Sequence, residues 1–166
     1  RAVNPRHGGR WKWQCDLGRG VAVDRERTDY RNSIESDERV VLKDRLQSGR
    51  CYVLDRGYLA WRLLNAIVGA QSDYVCRIKQ TSVYSVAAER PVEEQAGAAG
   101  VTRDLIVRMA DHDRAPSRPS HAVRLVYVEV LVWPRTVIGS AQPAGPAEKQ
   151  VLMLATNLLD VPAEII

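Results

Sequence analysis

Residues 51–79 read CYVLDRGYLAWRLLNAIVGAQSDYVCRIK, and their pattern decides the fold class. Residues 51–54 (CYVL) are a short apolar run with β-branched and aromatic members, suited to a strand buried on both faces. The run breaks at Asp55-Arg56-Gly57-Tyr58. Leu59, Leu63, Leu64, Ile67 and Val68 then recur at spacings that share one face of a helix, with Gly69 near its end. Residues 73–79 (DYVCRIK) return to strand character. Strand, helix and strand in so short a span predict a βαβ unit, with parallel strands and a right-handed crossover. Asp55 thereby falls at the carboxyl end of a central strand, where open α/β sheets collect their functional groups.

Upstream, residues 10–17 (RWKWQCDL) alternate, with Trp11, Trp13, Cys15 and Leu17 opposite Lys12, Gln14 and Asp16. Gly18-Arg19-Gly20 is turn chemistry, and residues 21–28 (VAVDRERT) resume as a strand, so the pair predicts an antiparallel hairpin beside the Cys51 strand. Residues 37–46 (DERVVLKDRL) predict a short helix facing inward through Val40, Val41 and Leu46. A hairpin leading into a βαβ unit makes an α/β sheet of mixed strand direction.

Downstream the character changes. Residues 81–100 are rich in Ala, Glu and Gly and predict an irregular or weakly helical connection. Strands follow over residues 101–109 (VTRDLIVRM), 121–133 (HAVRLVYVEVLVW) and 150–155 (QVLMLA), separated by loops at 111–120 and 134–147. Asp160-Val161-Pro162 opens a helix, with a capping acid and a first-turn proline. The chain thus reads as one domain. Residues 1–80 are the hairpin and βαβ core, 81–148 a β-rich insertion, and 149–166 the last strand and a helix start.

A chain of 166 residues with 45% hydrophobic and 27% charged content has the make-up of a globular domain with its own core. No apolar run approaches the length of a membrane span, so no membrane partner is expected. Cys15, Cys51 and Cys76 lack paired metal spacing and read as buried thiols in a reducing compartment. The net charge of +4 is uneven: residues 1–28 hold seven Lys/Arg against three Asp/Glu, and the remainder balances at 17 each. That basic stretch suits phosphate-backbone contact.

Taken in order, these pieces resemble the DDE transposases of bacterial insertion sequences, in the branch with a tyrosine-arginine-glutamate-lysine signature. Residues 10–20 (RWKWQCDLGRG) are similar to the family's second-strand hairpin, and residues 51–58 (CYVLDRGY) to the strand bearing its second catalytic aspartate. Residues 73–79 resemble the next strand, and residues 154–166 (LATNLLDVPAEII) the Thr-Asn strand end and helix start before the signature glutamate. The resemblance implies a ribonuclease-H-like mixed sheet with a β-rich insertion before the last strand. It also implies three acids gathering two Mg²⁺ (or Mn²⁺) ions for DNA cleavage and strand transfer at transposon ends.

Carried over residue by residue, Asp55 alone matches a catalytic and metal-binding position. The family's first aspartate would precede Arg1 and its glutamate would follow Ile166. The chain therefore reads as a central fragment, truncated at both ends and inactive by itself. Arg56, Tyr58, Arg77, Lys79 and Trp133 are the implied DNA contacts. The implied partners are transposon-end and target DNA and a second subunit in a homodimer, in the bacterial cytoplasm at the nucleoid.

Each position also has a plainer role. Asp55 could make a local turn contact, Trp133 could be a core or rim tryptophan, and Arg56, Arg77 and Lys79 could be solvated surface charges. Asp16 fits a turn, Glu164 complements a helix N-terminus, and Asp111-His112-Asp113 fits a flexible loop. The alternative functions are a non-catalytic DNA- or subunit-binding remnant and a ribonuclease-H-like nuclease.

Overall fold

The computed structural model describes residues 10–16, 21–28, 38–109, 118–133 and 145–166, with side chains from residue 38 onward. The chain divides into two compact units between Arg45 and Leu46. In the first, β1 (Arg10–Asp16) and β2 (Val21–Thr28) form the expected antiparallel hairpin, from Arg10↔Thr28 to Asp16↔Val21. Gln14 faces Asp24 while Cys15 faces Ala22, so Val23 is an extra residue that bulges β2. The helix α1 (Glu38–Asp44) also forms, but it buries no residue. Val40, Val41 and Leu42 are consecutive and spread around the helix at about 100° per residue, so they make no single apolar face.

The second unit is built on a six-stranded mixed sheet in the order β3-β4-β8-β7-β6-β5. Its strands are β3 (Cys51–Leu54), β4 (Asp73–Ile78), β5 (Tyr84–Arg90), β6 (Val101–Met109), β7 (Val123–Val132) and β8 (Glu148–Thr156). β3 and β4 are parallel, from Cys51↔Asp73 to Leu54↔Cys76, and α2 (Trp61–Gly69) connects them as the βαβ pattern predicts. Every other pairing in this sheet is antiparallel. Leu63, Leu64 and Ile67 are buried, and burial of each stabilises by about 1.5–3 kcal/mol.

Strand pairing fixes which side chains share a face. Tyr74, Cys76, Met153, Ala155 and Leu125 lie on one side, and all are buried. Asn65 of α2 donates to Arg118 O (2.6 Å) and accepts from Ser120 N (2.9 Å), tying the helix to the segment that leads into β7. His121 then meets the buried Tyr74 hydroxyl through Nε2 at 2.8 Å. Val75, Arg77, Leu154, Thr156, Arg124 and Val126 occupy the opposite face. There Ala96 of α3 (Glu94–Ala98) and Ala163 of a closing 3₁₀ turn (Ala163–Ile165) pack with Val101 and Val126. Between α3 and β6, Gly100 has φ +92°, and a Cβ there would stand 2.7 Å from Glu129 O, so only glycine fits.

Burial lowers the pKa of His121 from its usual 6.5, so the folded ring is neutral. The unfolded chain then takes up the proton more readily than the folded one. The contribution is present above the unfolded pKa of 6.5 and is lost as pH falls through that value to the lower folded one. Urea melts at about pH 7.5 and about pH 5.5 should show the wild type losing stability on acidification, and His121→Gln losing less. Equal losses in both proteins would mean that another group titrates.

The structure corrects several expectations. β3 is an edge strand of the six-stranded sheet, not a central one. Val53 is 62% exposed and Cys51 is an exposed thiol, so β3 is not buried on both faces; of the two cysteines with described side chains, Cys76 is the buried one. An unbroken apolar run does not distinguish an edge strand from a central one. Residues 81–100 contain a regular strand, β5, and the short helix α3. The strand escapes pattern reading because none of its residues is buried and its Ser, Ala and Glu content carries little strand propensity. β5, β6 and β7 join the β3–β4 sheet through β8, which pairs with both β4 and β7. The helix start at Asp160 takes the form of the closing 3₁₀ turn. Residues 111–117 and 134–144 of the two expected loops lie outside the described residues.

Candidate nucleic-acid interface

Asp55 leaves β3 with extended backbone (φ −77°, ψ 162°), and its carbonyl accepts from Tyr58 N at 2.9 Å. That bond closes a 3₁₀ turn, Arg56–Tyr58, at the strand's carboxyl end. The Asp55 side chain is 68% exposed, and its Oδ1 lies 3.9 Å from Arg77 Nη1, whose side chain is 41% exposed. This is a loose, water-facing ion pair that adds about 0–1 kcal/mol to stability. Its location is more informative than its strength: Asp55 and Arg77 stand side by side because β3 and β4 are parallel and in register.

A groove of about 320 Å³ opens beside this pair. Arg56, Arg77, Lys79, Gln80 and Thr81 line one side and residues 150–153 of β8 the other. Gln80 Nε2 donates to Val151 O at 2.8 Å, which holds the end of β4 against β8. The structure thus brings Asp55, Arg56, Arg77 and Lys79 together, with half-buried Tyr58 in the adjoining turn. Gly57 in that turn has nothing within 4 Å of where a Cβ would stand. Beneath, the Cys76 thiol is pushed up to about 12, first by burial and then by the Asp55 charge, so it stays protonated and non-nucleophilic.

Trp133 is 63% exposed, but the structure does not bring it to this groove. Through the registers Arg77↔Leu154 and Leu154↔Val126, Asp55 lies level with Val126. Trp133 follows β7 at the same end of the sheet, roughly 20 Å further along the strand direction. Glu164 is half-buried in the closing turn. Asp16, Asp111, His112 and Asp113 carry no described side chains.

The Thr156-Asn157 pair fastens the end of β8 to β4. Thr156 Oγ1 donates to Tyr74 O (2.5 Å) and accepts from Leu158 N (3.1 Å). Asn157 Oδ1 accepts from Tyr74 N (2.9 Å), and its Nδ2 donates to Asp73 Oδ1 (2.8 Å). Asp104 and Arg124, unmarked by the sequence reading, form a buried ion pair with side-chain exposures of 3% and 1%. Their signal was a charge set among apolar residues in each strand, Asp104 before Leu-Ile-Val and Arg124 before Leu-Val.

Two octahedral Mg²⁺ ions need more oxygen ligands than one aspartate can offer. Among the described residues no three His, Cys, Asp or Glu side chains converge to hold a metal, so these residues do not fit a two-ion centre by themselves. What the groove offers is three cationic lining side chains, one of them paired with Asp55 at its side, an arrangement suited to phosphate oxygens. A larger groove of about 390 Å³, lined by Arg108, Arg118 and His121, contains no carboxylate. Among the described residues no helix is long and apolar enough to cross a membrane. No protein-family model, curated protein or solved structure matches the chain.

Proposed function

We propose that this chain is part of a DDE transposase catalytic domain with a ribonuclease-H-like sheet. In the intact protein, a homodimer, it serves metal-dependent cleavage and strand transfer at transposon ends. The carrying observation is the exposed Asp55 at the carboxyl end of β3, opening onto a groove lined by Arg56, Arg77 and Lys79. The order of motifs from residue 10 to residue 166 supports the same reading.

Arg56, Arg77 and Lys79 hold the DNA backbone through their charge, which positions the duplex without reading its sequence. Gly57 leaves room for a sugar-phosphate chain to approach the turn. Asp55 would repel a bare phosphate. Divalent cations, when bound, would neutralise charge and activate oxygen nucleophiles at such a centre. Asp55 contributes one of the acids that centre needs.

A non-catalytic DNA-binding role is the second reading, favoured by the single carboxylate and its pairing with Arg77. Both roles place DNA on this groove, and salt titration tests that shared element. Replacing Arg56, Arg77 and Lys79 together by Gln should weaken duplex binding and reduce the log–log salt slope by about 2–3. Fluorescence anisotropy at several salt concentrations measures both quantities. An unchanged slope would place the phosphate contacts elsewhere.

A further inference from the structure

The buried ion pair has more donors than its partner needs. Arg124 Nε donates to Asp104 Oδ1 at 2.8 Å and Nη2 to Oδ2 at 2.7 Å, a bidentate fork. That leaves Nη1, which points to the segment after β8 and donates to Leu158 O (3.0 Å) and Val161 O (2.5 Å). Arg90 adds to this: its Nε stands 3.5 Å from Asp104 Oδ2, and its Nη1 donates to Leu159 O. Three successive strands of the inserted region, β5, β6 and β7, therefore each send one charged side chain to the same place. The carbonyls they serve belong to non-helical backbone, which has no ladder of its own to satisfy them.

Register shows what this arrangement positions. Asp104 pairs with Val126, and Arg124 sits two residues before Val126 on the same face as Arg77. Residues 158–161 are thus held on the Asp55 side of the sheet. The closing turn that follows packs Ala163 against Val126, which is level with Asp55.

We propose that Asp104 and Arg124, assisted by Arg90, are positioning residues. They clamp residues 158–161 onto the sheet and so place residues 163–166 on the face, and at the level, of the candidate interface. The clamp itself stands on geometry alone. Its consequence for DNA chemistry rests on the transposase reading.

The test compares the full-length protein with Asp104→Leu/Arg124→Met and with Arg124→Lys, by hydrogen–deuterium exchange and by metal-dependent DNA nicking. Apolar replacement of a whole buried pair is commonly tolerated, so the sheet should persist. The carbonyls of Leu158 and Val161 lose their donors, and the segment should turn to water. Exchange in peptides covering 158–166 should rise about tenfold, with less than about twofold change in β6, β7 and β8, as expected of a local opening. Arg124→Lys keeps the charge but loses the fork, and should show an intermediate rise confined to the same peptides. It also carries the test if the double variant does not fold.

Unchanged exchange in 158–166 in a folded variant would overturn the clamp, as would equal loosening of the whole sheet in both variants. Lost nicking with unchanged exchange would likewise overturn it while leaving the transposase reading intact. The predicted exchange in a protein that never nicks DNA would uphold the clamp and remove that reading instead.

Discussion

In the full-length protein, Asp55→Asn should reduce Mg²⁺-dependent nicking of a transposon-end duplex by about 100-fold or more. Changes to groups merely touching a metal ligand typically cost 10–100-fold, and the ligand itself should cost no less. Asparagine keeps the shape but loses the charge that a hard cation requires. Among the described residues the Asp55 side chain makes an exposed contact to Arg77 alone, so its replacement should leave the fold unchanged, and thermal melting checks this directly. Duplex binding should survive, because Arg56, Arg77 and Lys79 remain. Asp16→Asn, read as a turn residue, should leave nicking largely intact. If Asp55→Asn nicks as fast as wild type, Asp55 holds no part of the reaction.

The largest loss of stability is expected from Arg124→Met alone. Arg124 is 1% exposed and Asp104 3%, so removing the guanidinium strands a carboxylate in the interior together with two backbone carbonyls. Breaking a buried pair from one side costs about 3–5 kcal/mol. Arg90 at 3.5 Å can compensate only in part, since its Nη1 is engaged by Leu159 O. Arg103→Met, which breaks the exposed pair with Glu89 at 3.3 Å, should cost under about 1 kcal/mol. Urea denaturation of the two variants measures the difference. Similar midpoints would mean that the Asp104 site is open to water.

What was legible in the chain follows from how local each signal is. The βαβ unit could be read because α2 presents Leu63, Leu64 and Ile67 at helical spacing between two apolar runs. β7 could be read because its Val, Leu and Tyr content leaves no other use for ten residues. The position of β3 within the sheet could not, since edge or centre depends on which strand comes alongside, a non-local fact. β5 was hidden for a related reason: its Ser, Ala and Glu side chains meet mostly water, so pairing with β6 rather than burial makes it a strand. At the candidate site, Asp55 and the nearby basic residues were legible because they cluster within 25 residues along parallel, adjacent strands. Asp104 and Arg124 pair across 20 residues, and nothing in either local stretch names the other. Trp133 was grouped with the site on resemblance, and the strand register places it well along β7 instead.

Where DNA lies can be measured at Gly57, the open position in the turn after Asp55. With the exposed Cys51 replaced by Ser, Gly57→Cys in the full-length protein can be joined by thiol–disulfide exchange to a duplex whose phosphate carries a tether ending in a mixed disulfide, the small capping thiol leaving as the protein–DNA disulfide forms. A second protein carries the cysteine at exposed Ser85 on β5, at the opposite edge of the sheet. The account predicts efficient joining at position 57, suppressed by excess unmodified duplex and by the Arg56, Arg77 and Lys79 replacements, and little joining at position 85. Equal joining at both positions, or joining at 57 that is indifferent to those three side chains, would contradict it.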